Sequence, residues 1–213
     1  VSGVWNDRLI FLVSGWHDTG NETAVQIYDP ERDVWSQGTP LPGSPVFGHA
    51  GAIARNTIVY VDGVTARPRD QTPAGESRFS MEASSWRGEI DPTDPTRVTW
   101  LRLPDHPGPG LYRAAAVSVG TRVVFLGGSR NPYNYDGIGY DGRPSEPEPL
   151  AFSYDVVSGA WSTVPAPRAP TMDHRAAIRV GGYVALAGGM EAGQTVTSRV
   201  RIVPVIDLIA GGG

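Results

Sequence analysis

Apolar residues along this chain gather in short runs, and each run ends on a pair of small residues. Leu9 to Val13 closes on Ser14-Gly15, Ile58 to Val61 on Asp62-Gly63, Val123 to Leu126 on Gly127-Gly128, and Tyr183 to Ala187 on Gly188-Gly189. A second β-like run follows: Val25-Gln26-Ile27-Tyr28-Asp29-Pro30 in the first copy, Ala151-Phe152-Ser153-Tyr154-Asp155 in the third, Val200-Arg201-Ile202-Val203 in the last. Trp35, Trp100 and Trp161 close the first three copies, and the last has no such Trp. Upstream of the small pairs lie alanine-rich segments, His49-Ala50-Gly51-Ala52-Ile53, Arg113-Ala114-Ala115-Ala116-Val117 and Arg175-Ala176-Ala177-Ile178, and Val1-Ser2-Gly3-Val4 reads as the tail of another. Helical periodicity is hard to find, and runs of this length bounded by Gly, Pro and Asp predict strands.

Each recurring residue type has a physical task. Glycine lets a strand end in a sharp turn and lets neighbouring backbone approach. Tyr28-Asp29-Pro30 and Tyr154-Asp155 end a strand with a carboxylate that hydrogen-bonds the following backbone. The tryptophans supply bulk to fill a widening wedge between sheets, and alanine suits an innermost strand where space is scarce. With a period of roughly 50 residues, the repeats resemble kelch repeats over nearly the whole chain. The expectation is an all-β, kelch-type β-propeller of about four recognisable blades, near 1–44, 45–107, 108–169 and 170–208, the first and last incomplete. Either the first and last strands pair within one blade, or the blades belong to a larger ring; a ring of four would be unusually small, which favours the second.

Between Gly63 and Trp100 the second copy is irregular. Arg67 to Glu76 reads as a loop, Phe79 to Ala83 as the third strand, Asp91 to Arg97 as a turn and Val98 to Trp100 as the start of the outer strand. Ile202 to Leu208 reads as the third strand of the last blade. Leu41-Pro42, Leu103-Pro104 and Pro165-Ala166-Pro167 suit blade-to-blade crossings, where a fixed bend without a ladder donor is needed.

Composition narrows the function. The 213 residues carry a net charge of -4, which argues against nucleic acid or an anionic membrane as the main partner. All 18 basic residues are Arg, so Schiff-base chemistry on Lys is excluded. Without Cys there is no disulfide, thiolate nucleophile or Cys-ligated metal. No apolar run approaches a membrane span and no signal peptide is visible, although the chain begins without Met, which leaves room for a removed or omitted N-terminal segment.

In a propeller, the loops entering the innermost strand and those leaving the second strand meet on one face. The first set holds Gly48-His49, Tyr112-Arg113 and Asp173-His174-Arg175; the second holds Trp16-His17-Asp18, Val64-Thr65, Ser129-Arg130-Asn131 and Met190-Glu191. Three of the four His thus gather at one rim, and only His106 belongs to a crossing. Arg113 and Arg175 fall at what read as equivalent positions and offer paired donors for a carboxylate; Asp173 beside His174 would orient its imidazole. The alternative role for these groups is satisfying inner-strand backbone and channel water. The long loop from Ser129 to Pro149, with Tyr133, Tyr135 and Tyr140 among Asn and Asp, suits a sugar or peptide surface or a cover over the neighbouring blade. A metal would need His17, His49 and His174 to converge from different blades, and no short His-x-His spacing supports it; no metal or cofactor is expected.

The resemblance looks closest to bacterial kelch proteins of the galactose-oxidase-like type. Galactose oxidase itself uses copper with a Cys-Tyr crosslinked radical, which a chain without Cys cannot build. Sialic acid mutarotase, another kelch enzyme, is periplasmic, metal-free and dependent on Arg, His and Glu; Arg113, Arg175, His174 and Glu191 would fill those roles here. The leading expectation is a binding propeller that takes a carbohydrate or peptide at the channel mouth. A sugar-acid mutarotase or epimerase and a structural scaffold continuing into further blades of the same or another chain remain the alternatives. A periplasmic or extracellular location follows from the resemblance alone.

Overall fold

A computed structural model describes residues 1–18 and 20–209. The first sheet is β1 (Ser2–Trp5), β2 (Leu9–His17), β3 (Gly20–Asp29) and β4 (Val34–Gly38), in that order. The second contains β5 (Ala50–Ala54) and β6 (Thr57–Val61); a small hairpin of β7 (Val64–Ala66) and β8 (Phe79–Met81) interrupts it before β9 (Ser85–Ile90) and β10 (Val98–Leu103) complete it. The third is β11 (Ala115–Val119), β12 (Arg122–Leu126), β13 (Ala151–Asp155) and β14 (Ala160–Thr163). The fourth has β15 (Ile178–Val180) and β16 (Tyr183–Ala187), an inserted hairpin of β17 (Met190–Glu191) and β18 (Thr195–Val196), and then β19 (Val200–Pro204). One helical turn, α1 (Val205–Ile209), follows. These are four antiparallel sheets in propeller order.

Two local expectations are corrected. Phe79 to Ala83 is not the third strand of its sheet: β6 pairs with β9, beginning at Val61 opposite Ser85, and Phe79 belongs to the inserted hairpin. The last strand stops at Pro204 rather than running to Leu208. The Val205 N–H donates to the Gly182 carbonyl and the chain coils, which drops Leu208 fully buried into the core between the third and fourth sheets.

Core residues alternate between neighbouring sheets as the pleat requires. Phe11, Val13, Val25 and Ile27 meet Ile53, Ile58 and Ile90 of the second sheet. Val59 and Val61 meet Val123, Phe125 and Phe152 of the third, with Ala52, Ala54 and Ala116 allowing the inner strands to close up. Val117, Val124 and Leu126 meet Val184 and Leu186 of the fourth. Each buried Phe, Leu or Val contributes about 1.5–3 kcal/mol, so these seams dominate the stability. By strand register, Ile178, Val180, Tyr183 and Ile202 are the fourth sheet's counterparts of the third-sheet face that buries on its neighbour, and all four are more than half exposed.

The tryptophans fasten sheets in sequence. Trp100 Nε1 donates to the Thr39 carbonyl at 3.1 Å, and Trp161 Nε1 to the Pro104 carbonyl at 3.0 Å, each reaching the crossing before its own sheet. Trp35 instead stacks on Tyr28 and stays 59% exposed, so the wedge-filling role holds for Trp100 and Trp161 only. The strand-ending carboxylates act as expected, Asp155 accepting from the Val157 and Ser158 N–H groups.

All four small pairs are left-handed at both residues: Ser14 and Gly15, Asp62 and Gly63, Gly127 and Gly128, Gly188 and Gly189 all have positive φ. The first residue of a pair faces the segment leading into the next sheet. Ser14 Oγ accepts from the Val46 N–H at 3.4 Å, Asp62 Oδ2 accepts from the Leu111 N–H at 2.8 Å, and a Cβ on Gly127 would sit 2.2 Å from the Thr171 carbonyl oxygen. The second residue faces its own sheet's inbound segment, so a Cβ on Gly128 would lie 2.9 Å from Ala114.

Asp62 also joins the second and third sheets through His106, whose Nε2 lies 2.8 Å from Asp62 Oδ2 while its ring stacks flat on Phe152 at 4.2 Å. Burial weighs against a charged imidazole, yet the hydrogen bond and charge of Asp62 outweigh it and hold His106 above its ordinary range. Burial raises Asp62 as well. Both groups hold protons more tightly folded than unfolded: the contribution of Asp62 already falls above about pH 4, whereas that of His106 is full below about pH 6.5 and is lost as pH rises through the folded imidazole's range. The melting temperature is expected to fall by a few degrees between about pH 6.5 and 8.5, and His106→Gln to flatten that slope. An equal slope in both proteins would place the dependence elsewhere.

Candidate functional site

Each inbound segment makes one β-bridge to the segment leaving its sheet's second strand: Phe47 with Val64, Tyr112 with Ser129, Met172 with Met190. The next residue, Gly48, Arg113 or Asp173, is left-handed in every case. The counterpart of Arg113 by bridge and dihedral is therefore Asp173. Arg175, which the sequence pattern set equivalent to Arg113, lies two residues further on. For Arg113 and Asp173 the left-handed backbone costs about 1–2 kcal/mol each, strain of the sort that gathers at ligand clamps.

These segments surround a cavity of about 720 Å³ to which all four sheets contribute. Leu12, Gln26 and Trp16 come from the first sheet; Phe47, Gly48, His49 and Phe79 from the second with its inserted hairpin. Arg113 and Tyr140 come from the third, His174 and Arg175 from the segment leading into the fourth. One wall is aromatic. Trp16 lies 5.4 Å from Phe47 and 6.5 Å from Phe79, and Tyr140 of the long loop lies against Phe79 at 4.1 Å. Trp16 keeps 47% of its surface exposed, so its face is open to a ligand. Arg78 backs this wall, its guanidinium 5.1 Å from the Phe79 ring centroid and 5.8 Å from that of Trp16.

The surface adjoining it is cationic, with Phe47 5.7 Å from Tyr112 and the Arg113 N–H donating to the Gly48 carbonyl at 2.7 Å. Arg113 rests 4.9 Å above the Tyr112 ring and 5.4 Å from Tyr133, both fully buried, with Nη1 2.7 Å from Asp173 Oδ1. Arg175 approaches the same oxygen only at 3.5 Å and remains 70% exposed in its side chain. One carboxylate thus serves two guanidinium groups. The two histidines add no charge at neutral pH. Burial lowers His174 to about 4 against the pull of Asp173, and its Nε2 lies 2.8 Å from Thr171 Oγ1. Burial also holds His49 well below its usual range, with Nε2 2.8 Å from the Val13 carbonyl.

Among the residues singled out from the sequence, the cavity brings together Trp16, His49, Arg113, His174 and Arg175, with Tyr112, Tyr133 and Asp173 as their support. It does not gather the rest. His17 pairs with Glu22 at 2.5 Å and, like the neighbouring Asp18, faces solvent. Arg130 pairs with Glu148 at 2.6 Å, Asn131 Nδ2 donates to Asp141 at 3.0 Å within the long loop, and Tyr135 is 88% exposed. Glu191 is held by Arg201 and Arg199; the hydrogen bond from Arg201, against the opposing effect of burial, keeps it below the ordinary carboxylate range. Among the described residues no three His, Cys, Asp or Glu come together in a way that could hold a metal ion.

Phe47, Phe79 and Arg78 escaped the sequence reading. Phe47 had a usable signal, an aromatic two residues before His49 at the position Tyr112 takes in the next repeat; Phe79 and Arg78 were hidden in an insertion with no counterpart. Tyr140 ties the loop from Ser129 to Pro149 to that insertion through Phe79, so Tyr140→Ala is expected to speed proteolytic cleavage between residues 134 and 143 several-fold. Limited proteolysis read by mass spectrometry checks this, and unchanged cleavage would mean that the loop's own hydrogen bonds hold it.

No protein-family model matches the chain. Alpha-scruin of Limulus polyphemus is 25% identical over 198 residues, 87% of this chain and 18% of scruin. Kelch-like protein 34 of Homo sapiens is 28% identical over 180 residues, 65% of this chain and 27% of the human protein. The chain therefore spans only a minor part of the curated relatives it matches. The solved structure of YjhT superposes with a TM-score of 0.70 at 12% identity, over 97% of this chain and 66% of YjhT.

Proposed function

We propose that this kelch-repeat protein, with its four sheets set as propeller blades, holds a carbohydrate or a peptide in its central cavity. The observation that carries the reading is the adjoining of two surfaces in one cavity: a half-exposed aromatic surface around Trp16 and a guanidinium fixed on buried tyrosine rings at Arg113. Flat apolar faces with a few placed polar groups are what such ligands need. Proton-transfer chemistry of the mutarotase kind calls for a group titrating near neutrality. His174 at about 4 and Glu191 below the usual carboxylate range are not so poised, which favours binding over catalysis.

A glycan array and a peptide pull-down test the reading. Arg113→Ala and Trp16→Ala are each expected to weaken the captured ligand by roughly 10- to 100-fold, the worth of one charged hydrogen bond or one good ring contact. Tyr135→Ala, at the exposed loop tip, is expected to leave binding unchanged. Loss with Tyr135→Ala but not with the other two would move the site to the loop.

A second reading, a scaffold that continues into further sheets of the same repeat, is favoured by the bare apolar face of Ile178, Val180, Tyr183 and Ile202. Exposed apolar surface of this kind promotes association. The chain is expected to self-associate with rising concentration in sedimentation experiments, and the double variant Ile178→Glu, Ile202→Glu to stay monomeric. A monomer at every concentration would count against the scaffold.

A further inference from the structure

We infer that the ligand of the central cavity is a carboxylate carried on a flat aromatic body, held with its charge on Arg113 and Arg175 and its ring on the Trp16–Phe79 wall. The inference rests on the binding reading above and narrows it. Among the described side chains lining the cavity, the arginines are the only charged ones, and no Asp or Glu lines it. Asp173, just behind, offsets one positive charge and leaves the other: Arg113 takes its short contact, while Arg175 is distant and largely exposed. The cavity is thus net positive, with the Arg78 guanidinium adding a further cation against the aromatic surface, in a chain whose total is -4.

That balance selects among ligand classes. A neutral sugar would cover a guanidinium without neutralising it, which costs desolvation with no ionic return. An anion fits, and a carboxylate matches the planar guanidinium fork. Neither His49 nor His174 competes for the anion at neutral pH, since both are neutral, and each has one ring nitrogen engaged by protein oxygen. The rest of the wall is apolar and aromatic, with an open Trp16 face suited to another ring. Arg113 is also pre-set: its rings and Asp173 fix the guanidinium before any ligand arrives, so little side-chain entropy is lost on binding.

Two sources present this chemistry, a free aryl carboxylate and the C-terminal aromatic residue of a peptide. Calorimetry with indole-3-propionate, its amide, a short peptide ending in Trp with a free or amidated C-terminus, and galactose separates the possibilities. The acid is expected to bind at least ~10-fold more tightly than its amide, about 1.4 kcal/mol, and Arg113→Gln to abolish that difference. Arg175→Gln, at an exposed position, is expected to reduce it with the fold intact by circular dichroism. If the free-ended peptide outbinds both the amidated peptide and the small acid, the source is a protein terminus. Equal affinity for acid and amide would overturn the inference. So would binding of galactose alone, which leaves the cavity standing as a binding site. If no probe binds, and a glycan array and peptide pull-down capture nothing that depends on Trp16, both the inference and the broader reading fall.

Discussion

The fold depends on one repeated contact: a left-handed pair of residues wedged between two inbound segments. Where the first residue is glycine, as at Gly127, the neighbouring carbonyl sits where a Cβ would be. Where it is Ser14 or Asp62, the side chain takes over the contact by accepting a backbone N–H from the next sheet. The energies make the substitution tolerable. A left-handed L-residue costs about 1–2 kcal/mol, and a hydrogen bond to a charged acceptor contributes about 1.5–3 kcal/mol. Asp62, which also meets His106, comes out ahead. Sheet spacing follows from this contact, and the alanine-rich inner strands follow from the spacing.

The cavity is a by-product of the same geometry. Once an inbound segment has bridged to the outbound one, its next residue turns left-handed at the rim of the hub, as Gly48, Arg113 and Asp173 do. The insertions then supply what the frame lacks. The β7–β8 hairpin brings Phe79, and the long loop brings Tyr140 to cover it. The loop is not free to wander, because Tyr133 is buried beneath Arg113 and Glu146 accepts from the Gly193 N–H and from Gln194 on the neighbouring insertion.

Much of the frame is legible in the sequence because the small pairs, the Tyr-Asp endings and the spaced tryptophans repeat whenever the backbone must do the same thing. The third strand of the second sheet is not. A hairpin interrupts the repeat there, and Phe79-Ser80-Met81 has as good a β pattern as Ser85 to Ile90, whose Gly88 is packed beneath Trp100. The site is half legible for a related reason. His49, Arg113 and His174 follow from their place beside the inner strands. The pairing of Arg113 with Asp173, and the displacement of Arg175, depend on which residue takes the left-handed position, and composition carries no mark of that. Trp35 shows the converse: the motif is intact, but among the described residues no neighbouring crossing receives its indole.

One residue per repeat stands at that left-handed rim position, and three repeats fill it with glycine, a cation and an anion in turn. The backbone there is set by the bridge behind it, and neither the Arg113 nor the Asp173 side chain belongs to the seams that hold the sheets together. The positions are not equally exchangeable: a Cβ on Gly48 would lie 2.0 Å from the buried Tyr112 ring, so the second repeat is held to glycine by the ring on which Arg113 rests. Only in the third and fourth repeats is the hub free to change its chemistry by single substitutions while the propeller beneath stays the same.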